Sequence, residues 1–303
     1  MPLIQVNTVS DRPIVCKTLL QSALRRTDGP VCILVHGYKF SPSTRGFSPH
    51  RHILALRPDD TCPKALSWPT KLGFTEQGGG LCLAFGWEAR GSIWRAYGRA
   101  ATTGHALARL ISSIKQIAPK RDITLMAHSL GSRVVLSGLQ LLPPHSVRRA
   151  VLLAAADYRS VARKAMSSPA GRTAEVVNIT SRENDLYDYM LGALIPSVRF
   201  GDTLLGRGLG ARHTNWTDIS LSCPTTLAEL NTMGFAIAET GARMCHWSVY
   251  LRPGVFQLYR ALLRHPNHYP VARLQNITDR TAFQRHDRLA PKPVLPFVQK
   301  TSS

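Results

Sequence analysis

Apolar residues along this chain fall into two kinds of pattern, short unbroken runs and longer periodic stretches. The unbroken or nearly unbroken runs lie at 31–35 (Val-Cys-Ile-Leu-Val), 81–87, 123–126 (interrupted by Thr124), 150–156 and 176–180 (interrupted by Asn178), with a weaker one at 216–221. Runs of this length without polar alternation predict strands covered on both faces. Two further strand signals, at 3–6 and 13–16, open the chain. The periodic stretches differ in kind. Ile93, Tyr97, Ala100, Gly104, Leu107, Ile111 and Ile114 recur at spacings of four and three, one face of a long helix. A second helix is predicted from Leu130 to about Leu142, stopped by Pro143-Pro144, and a third around Val255, Leu258, Tyr259 and Leu262. Strands alternating with helices predict an α/β fold, a mostly parallel sheet with helices on both faces.

Two stretches break the pattern. Residues 39–80 are rich in Ser, Pro, Gly, Arg and His, and residues 194–214 are rich in Gly. Both read as loop or lid insertions within one domain spanning 1–264, and as walls of a substrate pocket. Residues 265–303 read as a basic C-terminal extension. No internal repeat is visible.

The chemistry concentrates at 123–131. The apolar run ends in Ala127-His128-Ser129-Leu130-Gly131, a small-x-Ser-x-Gly pattern followed by a helical stretch. A serine at such a strand-to-helix turn projects its hydroxyl above the sheet from a strained backbone. Small residues two positions either side make room for the turn. The Leu130 N–H is then aimed at an oxygen reacting with Ser129. After the first buried run, His36-Gly37-Tyr38 supplies the expected second oxyanion donor, the Tyr38 N–H, with Gly37 allowing close backbone approach.

A serine hydroxyl needs a base, and the base an orienting acid. With the nucleophile on a strand-to-helix elbow, the expected chain order is Ser, acid, His. Asp157 follows the first strand beyond Ser129 and Asp185 the second; Asp185 is favoured, with Asp157 and Glu183 as alternatives. Either aspartate could instead cap a helix. Among the histidines beyond Asp185, which are His213, His246, His265, His268 and His286, His246 stands just before the last predicted helix, where a loop-borne base belongs. His36 and His128 are expected to pack or hydrogen-bond near strand ends. His50 and His52, with Arg51 between them, lack the Cys or carboxylate partners of a metal site.

Together Val35-His36-Gly37-Tyr38, Ala127 to Arg133, and Thr180-Ser181-Arg182-Glu183-Asn184-Asp185 resemble the α/β-hydrolase superfamily. Within it they resemble the bacterial group described as domain of unknown function 900. Trp216-Thr217-Asp218-Ile219-Ser220 and the later His246 belong to the same resemblance, which spans about residues 31–262. The chain departs from the family pattern in having Leu130 where Met is usual. Asp157-Tyr158 only loosely matches a Pro-Asp-x-Asp segment. The resemblance implies a serine hydrolase acting on esters or thioesters, with Ser129, Asp185 and His246 as triad and Tyr38 and Leu130 as oxyanion hole.

Composition adjusts this reading at a few points. The 303 residues include 38 Lys plus Arg against 18 Asp plus Glu, a net charge of +20. Such a field favours anionic surfaces or nucleic acid, and keeps a non-catalytic binding protein of this fold in view, but no nucleic-acid motif accompanies it. An acyltransferase would use the same residues. Six scattered cysteines with no CxxC pair fit a reducing, cytoplasmic setting. The N-terminus lacks the pattern of a signal peptide, and no apolar run is long enough for a transmembrane helix. The expected partner is a small acyl ester, and the chemistry requires no cofactor or metal.

Overall fold

The computed structural model describes residues 3–59, 62–74, 80–239, 241 and 243–277. Its strands are β1 (Leu3–Val9), β2 (Arg12–Ile14), β3 (Val31–Val35), β4 (Leu81–Gly86), β5 (Ile123–His128), β6 (Arg149–Leu153), β7 (Glu175–Thr180) and β8 (Trp216–Ser220). The helices are α1 (Lys17–Arg26), α2 (Trp68–Lys71), α3 (Ile93–Ile117), α4 (Leu130–Leu139), α5 (Arg159–Met166), α6 (Asp185–Leu194), α7 (Pro224–Thr232), α8 (Ser248–Leu251) and α9 (Val255–Arg264). Each predicted strand run forms a strand, and the long 93–114 periodicity becomes α3.

The strands form one sheet in the order β2-β1-β4-β3-β5-β6-β7-β8. Only the β1–β2 pair is antiparallel; every other pairing is parallel. The unbroken apolar runs follow from this placement, because the central strands are covered on both faces. On β3, Val31, Ile33 and Val35 join one core with residues of α1, α3, α4 and α5. Cys32 and Leu34 join the other core, which includes Ile53, Leu54, Trp68, Phe74 and the buried faces of α8 and α9. Chain order reverses around β3: β4 lies on one side of it and β5 on the other. Loops leaving the carboxyl ends of β3 and β5 therefore diverge, opening the crevice where α/β sheets place their sites.

Two readings gain detail. Residues 39–80, read as a loop or lid insertion, hold short regular elements where they are described. They contain two 3-10 turns (Arg45–Phe47 and Pro49–Arg51) and α2, and they bury Ile53, Leu54, Trp68, Leu72 and Phe74 completely. The sequence pattern missed this because these apolar residues are irregularly spaced and follow neither strand nor helix period. The second concerns the domain end. Packing continues beyond Arg264, since Val271, Leu274 and Ile277 are buried in the second core. Residues 278–303 of the expected extension, including His286, lie outside the described residues. All six cysteines are free, with Cys32 and Cys82 buried. Among the described residues no helix is long and apolar enough to cross a membrane.

Candidate active site

β5 ends at His128, and the chain turns through Ser129 into α4. Ser129 adopts φ 54° and ψ −126°, a positive-φ conformation costly for any residue with a Cβ. Backbone bonds on both sides hold it there: the Ser129 N–H donates to the Leu153 carbonyl (2.9 Å), and the Ser129 carbonyl accepts from Ser132 N (2.9 Å) and Ala156 N (3.2 Å). The small residue two positions on is required by packing. A Cβ on Gly131 would stand 2.5 Å from the His36 carbonyl oxygen and 2.7 Å from that of Val35. Only glycine lets α4 start so close to the end of β3.

The β3 loop faces the serine. Val35 pairs with Ala127 in the sheet, so His36-Gly37-Tyr38 and Ser129 leave adjacent strands at nearly the same level. A Cβ on Gly37 would lie 2.9 Å from Ser129 Cβ and 2.9 Å from the His128 carbonyl oxygen. Among the described residues, neither the Tyr38 N–H nor the Leu130 N–H donates to a backbone carbonyl. Two unspent donors thus lie in the segments flanking the serine hydroxyl. The loop is fixed by His36, whose Nε2 accepts from Trp87 N (3.0 Å), so the proton resides on Nδ1 and is donated to the Gly37 carbonyl (2.8 Å). Burial pushes the His36 pKa down to about 3, keeping it neutral. The Tyr38 hydroxyl donates to the Gly91 carbonyl.

His246 lies on the loop before α8. The His128 side chain donates from Nε2 to the His246 carbonyl (3.1 Å), and the two rings are 4.6 Å apart between centroids. The preceding residue is held too, Cys245 N donating to the Glu183 carbonyl at 3.0 Å. Tyr187 stacks on the other side of the His246 ring at 4.7 Å. Burial, and secondarily His128, lower the His246 pKa well below the usual imidazole value. The ring is therefore neutral at pH 7 and able to accept a proton. Burial likewise brings His128 to about 4, as suits a neutral clamp. No hydrogen bond joins Ser129 Oγ to His246 in this state; such contacts often tighten only with substrate bound.

His246 Nδ1 lies 2.5 Å from Asn184 Oδ1. The 3-10 turn Arg182–Asn184 brings Asn184 inward, where it is buried, and the next residue, Asp185, begins α6 on its exposed side. One residue of helical rotation separates the two outcomes. Behind Asn184, its Nδ2 donates to Asp188 Oδ1 at 3.0 Å. The alternatives have other duties. Asp157 is fully buried and accepts from the Tyr97 hydroxyl (2.8 Å), Tyr158 N (2.8 Å) and Arg133 (2.9 and 3.0 Å). Glu183 forms a buried ion pair with Arg252 at 3.0 Å.

Sequence reasoning missed Asn184 and Asp188, because an amide carries no acid–base signal and Asp188 reads as helix surface. It also missed Trp68, whose ring packs edge-on against His128. The histidines of 50–52 are spent locally, His50 Nε2 on Asn7 Oδ1 and His52 Nε2 on Cys62 Sγ. Among the described residues no group of His, Cys, Asp or Glu could hold a metal ion.

Residues 15–185 match a family described as alpha/beta hydrolase of unknown function (DUF900). The chain belongs to this alpha/beta hydrolase family. Both the Gly37 loop and the Ser129 elbow of this DUF900 member fall within the match, and His246 lies beyond it. Solved structures show weaker likeness. An acylaminoacyl peptidase from Pyrococcus horikoshii is 11% identical with a TM-score of 0.38, covering 78% of this chain and 38% of its own. The chain thus spans well under half of that relative's length. A Trichoderma reesei cutinase solved with a phosphonate inhibitor is 14% identical with a TM-score of 0.24, covering 46% of this chain and 64% of its own. The carboxylesterase CesB of Bacillus subtilis is 10% identical with a TM-score of 0.28, covering 84% and 85%. No curated protein matches the chain.

Proposed function

We propose that this alpha/beta hydrolase cleaves carboxylic esters through an acyl-serine intermediate. The observation that carries the reading is Ser129 in a strained elbow, its Cβ against the Gly37 backbone, with the Tyr38 and Leu130 N–H groups unspent on backbone. Holding that conformation costs about 1–3 kcal/mol, and at a strand-to-helix elbow it aims the hydroxyl above the sheet. In the reaction Ser129 Oγ attacks the ester carbonyl carbon as His246 Nε2 takes its proton. The Tyr38 and Leu130 N–H groups hold the oxyanion. Collapse breaks the bond to the alkoxy oxygen, and the imidazolium protonates the departing alcohol. Water then attacks the acyl-serine, giving its proton to His246, and the carboxylic acid leaves with Ser129 restored. The segment following β7 supplies the group that orients the imidazole.

A fluorophosphonate probe tests the nucleophile: wild type is expected to label and Ser129→Ala not. Equal labelling of the two would remove Ser129 from the mechanism. A panel of p-nitrophenyl esters of rising chain length measures the acyl preference, and turnover of none of them would refute the esterase reading.

A further inference from the structure

We infer that Asn184, locked by Asp188, is the residue that orients His246 as a base. The inference rests on the serine-hydrolase reading above and assigns its third member. Three side chains stand in series: His246 Nδ1 to Asn184 Oδ1 at 2.5 Å, then Asn184 Nδ2 to Asp188 Oδ1 at 3.0 Å. An amide oxygen only accepts, so the Nδ1 atom must carry the imidazole proton. Nε2 is then left with its lone pair, the form that can take a proton from serine.

The direction of the amide decides this tautomer. Turned over, Asn184 would present Nδ2 to His246 and Oδ1 to Asp188. A carboxylate facing an amide oxygen has no hydrogen to share and repels it. In its ionised form, above about pH 7, Asp188 therefore selects the orientation in which Oδ1 meets the imidazole. Asp188 itself is lodged in a fitted place: a Cβ on Gly206 would collide with its Oδ2. Its carboxyl is raised to about 7, mainly by burial and further by the neighbouring Asp185, while the Asn184 hydrogen bond and Arg207 oppose the shift.

The neighbouring His128, Tyr187, Glu183 and Lys64 face partners other than Nδ1. His128 meets the His246 carbonyl, Tyr187 stacks on the ring face, and Glu183 is paired with Arg252. Lys64 sits over the neighbouring Trp247 ring, 3.4 Å from its centroid. Asp185 stands one residue further along on the exposed side of α6. A neutral acceptor on Nδ1 stabilises an imidazolium less than a carboxylate would, so His246 keeps its low pKa and the site works with a weakly basic imidazole.

The test compares Asn184→Ala, Asn184→Asp, Asp188→Asn and Asp185→Asn, each first shown by circular dichroism and melting to be folded. Asn184→Ala is expected to lower kcat about 10²- to 10⁴-fold with KM within about threefold. Asn184→Asp is expected to restore turnover and to move the acid limb of kcat/KM up by about 1 pH unit or more, since a carboxylate on Nδ1 favours the imidazolium. Asp188→Asn is expected to lose about tenfold, as outer partners of a functional imidazole do. Nitrogen-15 NMR of the histidines reads the same point without turnover: wild-type His246 is expected as the Nδ1–H tautomer, and Asn184→Ala and Asp188→Asn are expected to lose that preference. An Asn184→Ala enzyme with kcat within threefold of wild type overturns the inference. So does an Asp185→Asn loss larger than that of Asn184→Ala, or a wild-type tautomer protonated on Nε2. Failure of wild type to label with fluorophosphonate would instead sink the hydrolase reading, and the NMR result would stand apart from it.

Discussion

Replacing Asp157 with Asn separates a structural carboxylate from a catalytic one. Asp157 follows β6 directly, where a triad acid could sit, yet every contact of its carboxylate points into the fold. Its side chain has no solvent exposure, and the Arg133 partner is only 15% exposed. Arg133 also donates to the Tyr97 carbonyl at 2.9 Å and lies 3.7 Å over the Tyr97 ring. The cluster thus ties α3, α4 and the end of β6 together directly beneath the elbow. An asparagine keeps the shape but removes the charge. One of its Nδ2 hydrogens must face a donor, either Arg133 or the Tyr97 hydroxyl. Removing one member of a buried ion pair costs about 3–5 kcal/mol. The residual exposure of Arg133 places the expected loss near the lower figure, about 3 kcal/mol.

At about 2–4 °C per kcal/mol for a domain of this size, the melting temperature is expected to fall by about 6–12 °C. Urea denaturation followed by circular dichroism gives the free energy, and calorimetry the temperature. Below the transition, fluorophosphonate labelling per folded molecule is expected to persist, because Asp157 does not touch His246. A loss of less than about 1 kcal/mol would refute the ion-pair reasoning. A fully folded variant that no longer labels would return Asp157 to the triad.

Gly37→Ala is expected to lower kcat about 10²- to 10³-fold by pushing the Tyr38 N–H away from the oxyanion, since the new Cβ would meet Ser129 Cβ and the His128 carbonyl at 2.9 Å; steady-state kinetics within threefold of wild type would contradict this. Gly131→Ala is expected to destabilise by about 1–3 kcal/mol, because its Cβ meets backbone oxygens of β3 and its loop at 2.5 and 2.7 Å, and denaturant melts measure it. The pH dependence follows from the depressed His246 pKa. A base whose pKa is lowered stays neutral further into acid, so protonation of His246 itself is expected to remove activity only well below pH 6.5, beneath a partial fall near pH 7 as Asp188 takes up its proton; a complete loss of kcat/KM by pH 6.5 would show that a carboxylate, not burial, governs the ring.

The strands and the elbow were legible because each obeys a local rule. A strand buried on both faces has few polar positions to spare, so β3, β5 and β6 appear as largely apolar runs. The Ser129 turn needs small neighbours, and that need is written within five residues. The sequence points to His246 by position alone, as a loop residue before α9. Nothing in it points to the partner on Nδ1. Whether Asn184 or Asp185 faces inward depends on a single 3-10 turn at the end of β7, and on where α6 begins. Neither leaves a periodic signature, because Arg182–Asn184 is too short to have a period. The packing of residues 53–74 was hidden for a related reason: Ile53, Leu54, Trp68, Leu72 and Phe74 fill one core from irregular spacings.

This split has a physical origin that bears on the site. The scaffold is specified by burial, which acts on many residues at once and tolerates an error at any one. Orientation of the imidazole is specified by a chain of single contacts, His128 on the His246 carbonyl, Asn184 on Nδ1 and Asp188 on Asn184. Each contact is polar, and each is shielded enough from water that a missing partner costs about 1–3 kcal/mol. A substitution among them is expected to leave the sheet intact while changing which imidazole nitrogen carries the proton. Activity and stability should therefore separate cleanly at these positions, whereas at Gly131, whose missing Cβ sets the elbow itself, the two should fall together.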